Sequence, residues 1–427
     1  MEGLHSKFSV FLYLCNEKAI FLRTLTTNNL TKLKTMKRLL LLLVAAIIGF
    51  APEVVAQKKV AETRSMYNTA YRRTEIILPQ VKGMNCYKAD FHIHTIYSDG
   101  ALTPRQRVRE AWYDGMDVIA ITDHLEGNGF AKTMLKVLAP YNEDGKPSQW
   151  SNAKQSGRVI TDHNAVFDEA AEEALNYPIT LIKGTEIGLE PEKGHFNALF
   201  IKDVNAIYDA DEIKRFENAH KQGGIVIHNH PTYRRKTSDK NEWHIKVYKE
   251  GHIDGVEVAN TFTFYPRMVR RCVEEKLVMV GGTDSHGVTD RYYPGTPFRT
   301  HTIIFAKDRS EKSLKKAMLK QQTLVYCGGH IIGSEYWLKE FFNASIECQV
   351  VRVNDKKGNR TFQLTNHTSI PYTLHRGKGT YTLNPFESIT ISFGKSKEGG
   401  YTQPKLRVGN MWGMDNKNLV VNIEIDK

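Results

Sequence analysis

The densest chemistry in this sequence is the stretch Asp90-Phe91-His92-Ile93-His94-Thr95-Ile96-Tyr97-Ser98-Asp99-Gly100. His92 and His94 stand two apart in what reads as a short strand. Side chains at i and i+2 share one face of a strand, so both imidazoles address the same small volume. Two imidazoles do not complete a metal site, because a tetrahedral zinc needs about four ligands. Further donors recur downstream at the ends of predicted strands: His124, Glu186, His195, His230, Asp284 and His286. Asp99, in the loop after the first pair, joins them. Imidazole and carboxylate donors suit zinc, manganese or iron, and no thiolate stands among them. The set is too large for one ion and fits two or three that share a bridging carboxylate. Two ions about 4 Å apart can clamp a phosphoryl group and hold a nucleophile for in-line attack. A purely structural role would bury unpaired carboxylates at high cost.

These donors need elements to carry them. Thr103 and Pro104 read as the N-cap and first residue of a helix over 105–114, which Gly115 ends. Residues 117–122 form a short apolar run, as in a strand buried on both faces, and deliver Asp123-His124 at its end. Residues 179–186 predict a strand closing on Glu186, and Gly194-His195 opens the next. The run 225–227 ends in His228-Asn229-His230-Pro231, and 277–282 reaches Thr283-Asp284-Ser285-His286-Gly287. Strand, loop and helix alternate about seven times, the pattern of βα units on a parallel sheet. Polar residues at the C-terminal ends of many strands are what a barrel of the triosephosphate-isomerase type shows. Gly127 to Gly157 predicts a polar insertion or lid-like loop. Beyond Ile346, alternating and β-branched runs separated by Gly, Asn and Lys turns predict a small antiparallel β domain.

Taken in order, His92-Ile93-His94 with Ser98-Asp99-Gly100, Thr122-Asp123-His124, Gly184-Thr185-Glu186, Gly194-His195, His230-Pro231 and Thr283-Asp284-Ser285-His286 form an ordered set of motifs. That set resembles the PHP (polymerase and histidinol phosphatase) domain over roughly residues 85 to 330. The resemblance implies an α/β fold, a distorted (β/α)7 TIM-like barrel, here followed by the antiparallel β domain. It implies a phosphoesterase dependent on two or three divalent ions (Zn, Mn or Fe), acting through a metal-activated water on a phosphomonoester or phosphodiester. His92, His94, Glu186 and Asp284 would form one metal site, and Asp99, His124 and His286 a second. Glu186, His195 and His230 would form a third, with Glu186 bridging. Family members often carry His where Asp99 stands; an aspartate there is similar to a branch whose members hold two ions tightly.

Four more residues are candidates for catalytic roles. Asp123 is expected to orient a neighbouring imidazole. His228 shares a face with His230 by strand alternation and is expected to hold a ligand or a substrate oxygen. Arg234, beside Arg235, and Arg291 follow ligand motifs and are placed to grip phosphate oxygens in a bidentate way. His220, His244, His252, His301 and His330 read as ordinary core or surface histidines.

The whole chain sets the frame. Its 427 residues are 41% hydrophobic and 25% charged, which supports a packed core and excludes bulk disorder. A formal charge of +12 suits an anionic substrate without requiring nucleic acid. Met36-Lys37-Arg38, the apolar run Leu39 to Ala51 and small residues up to Ala56 read as a cleavable signal peptide starting at Met36. That run is too short to span a bilayer comfortably. The expected organisation is an upstream extension at 1–35, a signal peptide at 36–56, the barrel at 57–345 and a C-terminal β-sandwich-like domain at 346–427. The expected location is periplasmic or secreted. The cysteines are isolated, without CxxC pairs, which argues against zinc-ribbon chemistry. The expected partner is a small phosphorylated substrate, with no stable nucleic-acid partner and no membrane span in the mature form. Two alternatives stand beside this reading: a histidinol-phosphatase-like monoesterase, which export disfavours, and a non-catalytic surface binding module, which the complete donor set disfavours.

Overall fold

A computed structural model describes residues 73–126, 162–293, 296, 298–354, 358–394 and 405–422. The signal peptide expected at 36–56, the extension before it and the whole polar loop expected at 127–157 lie outside the described residues. Among the described residues no helix is long and apolar enough to cross a membrane.

Strands β1 (Asn85–Asp90), β2 (Val118–Ile121), β3 (Thr180–Gly188), β4 (His195–Leu199), β5 (Ile225–His228), β6 (Gly255–Asn260), β7 (Thr263–Phe264) and β8 (Val278–Gly282) carry the ligand loops. Then come β9 (His301–Ala306), β10 (Thr323–Cys327) and β11 (His330–Ile332). Helices α1 (Pro104–Tyr113), α2 (Asn164–Ala174), α3 (Glu212–Lys221), α4 (Glu242–Lys249), α5 (Pro266–Glu275), α6 (Thr289–Tyr292), α7 (Glu311–Leu319) and α8 (Glu335–Ser345) lie between and after them. The start of α1 is the predicted one: the Thr103 side chain accepts from Gln106 N, Gln106 returns the bond, and Pro104 opens the helix.

β1, β2 and β3 pair in parallel, and so do β5, β6 and β8. The expected all-parallel arrangement gives way at β4, β9 and β10, which pair antiparallel with their neighbours. The cause at β4 is the length of its connection. A parallel neighbour needs a crossover of about a dozen residues or more. β3 and β4 are instead joined by a tight turn, in which Lys193 N and Gly194 N both donate to Glu190 O. Gly194 sits there at φ +86°, a conformation that favours glycine. The reversal has a functional result: His195, the first residue of β4, lands opposite Gly188 at the end of β3. The start of β4 thus reaches the rim where the parallel strands end.

The expected closed barrel is not formed either. Among the described residues β8 pairs with β6 alone, so the large mixed sheet stays open on its other side. Side chains bridge that seam. Thr302 Oγ1 donates to Gly281 O and accepts from Gly281 N, both at 3.0 Å, and Thr323 Oγ1 donates to Met279 O at 2.9 Å. The hydroxyls occupy the space a backbone ladder would fill. A Cβ at Gly281 would collide with Val325, so glycine is what allows this approach. At the rim the backbone takes over: Asp284 N donates to His92 O at 2.8 Å and His94 N to Ser285 O at 3.1 Å.

After α8 come β12 (Ile346–Asn354), β13 (Asn359–Asn366), β14 (Tyr372–Arg376), β15 (Gly379–Leu383), β16 (Ser388–Gly394), β17 (Lys405–Trp412) and β18 (Asn418–Asn422). These strands divide. β12, β13 and β16 form a separate three-stranded antiparallel sheet. β14, β15, β17 and β18 extend the large sheet through a parallel pairing of β17 with β11. Phe341 and Phe342 of α8 share one apolar cluster with Phe362, Leu364, Tyr372 and Val408, so burial runs on without a break past residue 345. Among the described residues Cys86, Cys272, Cys327 and Cys348 form no disulfide.

Candidate metal centre

Glu186 occupies the middle of the site. Its backbone is locked beside His124: Glu186 N donates to Asp123 O at 3.1 Å and Leu125 N to Glu186 O at 2.8 Å. Its side chain is 1% exposed. Around Oε1 lie His92 Nε2 at 3.3 Å, His195 Nδ1 at 3.3 Å and His230 Nε2 at 3.4 Å. Around Oε2 lie His124 Nδ1 at 3.0 Å and His94 Nε2 at 3.5 Å. One carboxylate therefore meets five imidazoles from four loops.

Asp284 faces the same rings from the β8 side, with Oδ1 at 3.2 Å from His92 Nε2 and 3.3 Å from His94 Nε2. Its Oδ2 is 3.8 Å from His230 Nε2. Asp99 closes the other end, 3.2 Å from His286 Nε2, 3.5 Å from His124 Nε2 and 3.5 Å from His94 Nδ1. Donor atoms within 4.8 Å of one another fall into four overlapping groups. They are His94, Asp99, His124 and His286; His92, His94 and Glu186; His92, His230 and Asp284; and His124, Glu186 and His195. Every donor singled out in the sequence is in at least one group.

Burial and charge work against each other here. Burial opposes charge on His92, yet Asp284, Glu257 and Glu186 outweigh it and raise its imidazole well above the ordinary value. Burial likewise opposes charge on His124, but Glu186 and Asp99 lift it to about 9. Burial pushes Glu186 up, and His92 and His124 more than reverse this, holding it well below the carboxylate range. Asp284 is lowered in the same way, against burial, chiefly by His92. His94 goes the other way, lowered by burial. Without a cation, the carboxylates hold positive charge in the form of protonated imidazoles.

The sequence profile of the PHP domain matches residues 90–356. The chain belongs to the PHP family. A crystal structure from Bacteroides vulgatus, described as a two-domain protein containing a predicted PHP-like metal-dependent phosphoesterase, is 32% identical. It covers 83% of this chain and 99% of its own, with a TM-score of 0.71. An uncharacterized protein of Methanocaldococcus jannaschii is 27% identical over 215 residues, 42% of this chain and 96% of its own length. The chain thus shares the family of PHP-like metal-dependent phosphoesterases, and its donor set fits divalent ions. The fit rests on buried atoms: among the described residues His92 Nε2 and His94 Nε2 have no hydrogen-bond partner, although they point at carboxylates. An unmet buried nitrogen costs about 1–3 kcal/mol, which a coordinated ion would relieve.

Within the PHP domain, positioning falls partly to residues the sequence did not mark. His92 and His94 are not on β1, which ends at Asp90; they lie in the extended segment that follows and pairs with the β8 loop. Extended backbone keeps the two-residue alternation, so the rings still lie 5.2 Å apart. Glu257, fully buried on β6, accepts from His92 Nδ1 at 2.8 Å, His230 N at 2.7 Å and Asn260 Nδ2 at 2.9 Å. It fixes which nitrogen of His92 faces the centre. Its only sequence signal was an acid inside an apolar strand. Asn229 Nδ2 donates to Glu186 Oε1 at 2.8 Å. A Cβ at Gly282 would fall 2.7 Å from His92 Cβ, so glycine leaves room for that ring.

Three expectations change. His228 does not face the centre: its ring stacks on Phe196 and His244, and Nδ1 meets Tyr248 OH at 2.8 Å. Strand alternation fails because β5 ends at His228 and His230 turns to φ +21°. Among the described residues Asp123 makes no hydrogen bond to an imidazole. It accepts from Thr95 N, Thr95 Oγ1 and Ser98 Oγ, and Ser98 Oγ in turn lies 3.3 Å from His94 Nδ1. Its orienting effect passes through the loop. The two arginines, expected to grip phosphate oxygens, stand in different surroundings. Arg234 stands over the Tyr233 ring at 5.3 Å, and Tyr233 packs 5.0 Å from His230. Arg291 lies exposed on α6 with no ion pair among the described residues.

Proposed function

We propose that this protein is an exported phosphoesterase that hydrolyses phosphomonoesters or phosphodiesters at a centre of two or three divalent ions. One observation carries the reading: a single buried carboxylate, Glu186, meets five imidazoles, two of them with orphaned Nε2 atoms. The donors are nitrogen and oxygen only, which favours Zn, Mn or Fe. When bound, such ions lower the pKa of water and neutralise charge on the phosphoryl group. His92, His94, Glu186 and Asp284 would hold one, and Asp99, His124 and His286, with His94 close by, another. His195 and His230 would complete a third with Glu186.

The chain's own residues do the rest. Glu257 sets the tautomer of His92, and Asp123 with Ser98 restrains His94. Arg234, unpaired with any acid among the described residues and half-stacked on Tyr233, supplies a cation at the mouth for the substrate's phosphate. The basic residues before the apolar run at 39–51 support export.

The test is metal analysis of protein purified without chelator, followed by assays with Mn or Zn on p-nitrophenyl phosphate and its bis ester. Two or three ions per chain and hydrolysis of either ester support the proposal. Absence of bound metal, or metal without hydrolysis of either ester, defeats it.

A further inference from the structure

The open seam between β8 and the β1 side of the sheet poses a problem that the site must solve. Asp284 and His286 arrive from one side of the seam, and His92, His94 and Asp99 from the other. Among the described residues no continuous ladder holds the two loops at a fixed spacing; single bonds do, namely the rim bonds described above, Ala101 N on His286 O, and Thr283 on Asp90 and His92 O. A side chain from outside both loops also spans them. Arg107, on α1, is fully buried. Its Nε donates to His94 O at 2.8 Å, on the β1 side. Its Nη2 donates to Ser285 O at 2.8 Å, and Nη1 to Gly287 O at 2.8 Å and Ser285 Oγ at 3.3 Å, on the β8 side. Nη1 also meets Glu110 Oε2 at 2.8 Å, which balances the buried charge. Glu110 Oε1 accepts from Thr289 N at 2.7 Å, tying the start of α6 to the same clamp.

We propose that Arg107 is a positioning residue that sets occupancy of the ion site formed by His94, Asp99, His124 and His286. The inference rests on the metal-dependent reading above. Its logic is geometric. That group takes one ligand, His286, from the β8 loop and its other three from the β1 and β2 loops. Arg107 grips the carbonyls of His94 and of the residues flanking His286. A planar guanidinium holds three carbonyls at once in fixed directions; an ammonium at the same place holds a point and not a plane. Loss of the fork would leave the His286 loop free to drift relative to Asp99. The groups built on Glu186 depend less on Arg107, because His92, His94, His124 and His195 come from the ends of β1, β2 and β4, which join β3 by continuous pairing, and Asp284 is held by its own N–H on His92 O.

The experiment compares wild type, Arg107→Lys and Thr302→Val by Mn(II) titration with EPR detection, alongside metal-free thermal melts. Thr302→Val removes the two hydroxyl bonds to Gly281 below the rim and touches no ligand loop. The expected result for Arg107→Lys is the loss of one Mn(II) per chain, or a drop of about 10- to 100-fold in affinity for one ion, with the others retained. The expected result for Thr302→Val is a lowered melting temperature with unchanged Mn(II) affinities. The proposal is overturned if Arg107→Lys melts lower but binds every ion as wild type does, or if Thr302→Val weakens the same ion equally. Should Arg107→Lys fail to fold, Glu110→Gln, which loosens the clamp while keeping its shape, is held to the same outcomes. Wild type that binds no Mn(II) at all would instead defeat the metal-dependent reading itself.

Discussion

Replacing Glu257 with glutamine tests how much of the centre depends on a residue that coordinates nothing. Glu257 accepts three hydrogen bonds, from His92 Nδ1, His230 N and Asn260 Nδ2, at 2.7–2.9 Å. In Glu257→Gln one of the two terminal positions becomes an amide donor. If it faces His92, the Nδ1 proton has no acceptor, and the ring is driven to the tautomer that protonates Nε2. That nitrogen is the one aimed at Glu186 and Asp284. If it faces His230 N, a ligand-bearing turn at φ +21° loses its anchor. Either way, metal affinity should fall by about 10- to 100-fold, the usual effect of losing such an outer partner. That corresponds to about 1.4–2.8 kcal/mol. The fold should be affected less, because the glutamine fills the same space and leaves about one donor unmet, at a cost of about 1–3 kcal/mol. The assay is competition for Zn against a chromogenic chelator, with melting of the metal-free protein as the control. A Glu257→Gln protein that melts lower but binds Zn as wild type does would refute the reasoning, leaving Glu257 a role in folding only.

Further outcomes follow from the same geometry. Glu186→Gln removes the charge that five imidazoles face, and should abolish ester hydrolysis and lower metal content measured by mass spectrometry; retention of both would mean that Glu186 bridges nothing. Metal uptake should release protons and strengthen as pH rises toward about 9, because His124 is protonated up to that value without a cation. Calorimetry in buffers of different ionisation heat measures this, and uptake without proton release contradicts it. The sign for the metal-free fold is opposite: a raised His124 contributes stability fully present below its unfolded pKa of about 6.5 and lost as pH rises through about 9. Ser98→Ala cuts the link from Asp123 to His94 Nδ1 but leaves Asp123 on Thr95, so a loss of about 10-fold in affinity is expected, smaller than for Glu257→Gln. Arg234→Ala should raise KM for phosphate esters with little change in kcat, since this cation meets the substrate at the mouth; an unchanged KM would remove it from the site.

The sequence by itself determined the donors and the order in which they arrive. His92, His94, Asp99, His124, Glu186, His195, His230, Asp284 and His286 were legible because buried imidazoles and carboxylates at strand ends are costly unless something binds them. The α1 cap was legible too, because capping is a contact between residues three apart. Only tertiary structure decided what depends on partners far along the chain. His228 left the site because one backbone angle at His230 broke the alternation, and a torsion leaves no mark in residue types. Glu257 joined it across 165 positions from His92, a pairing that no local pattern contains. The sheet stayed open because Thr302 and Thr323 offered hydroxyls where a ladder would have run, and Arg107 then held together the two loops that this left apart. Periodicity reports which face a residue takes; it carries no information about which distant backbone that face will meet.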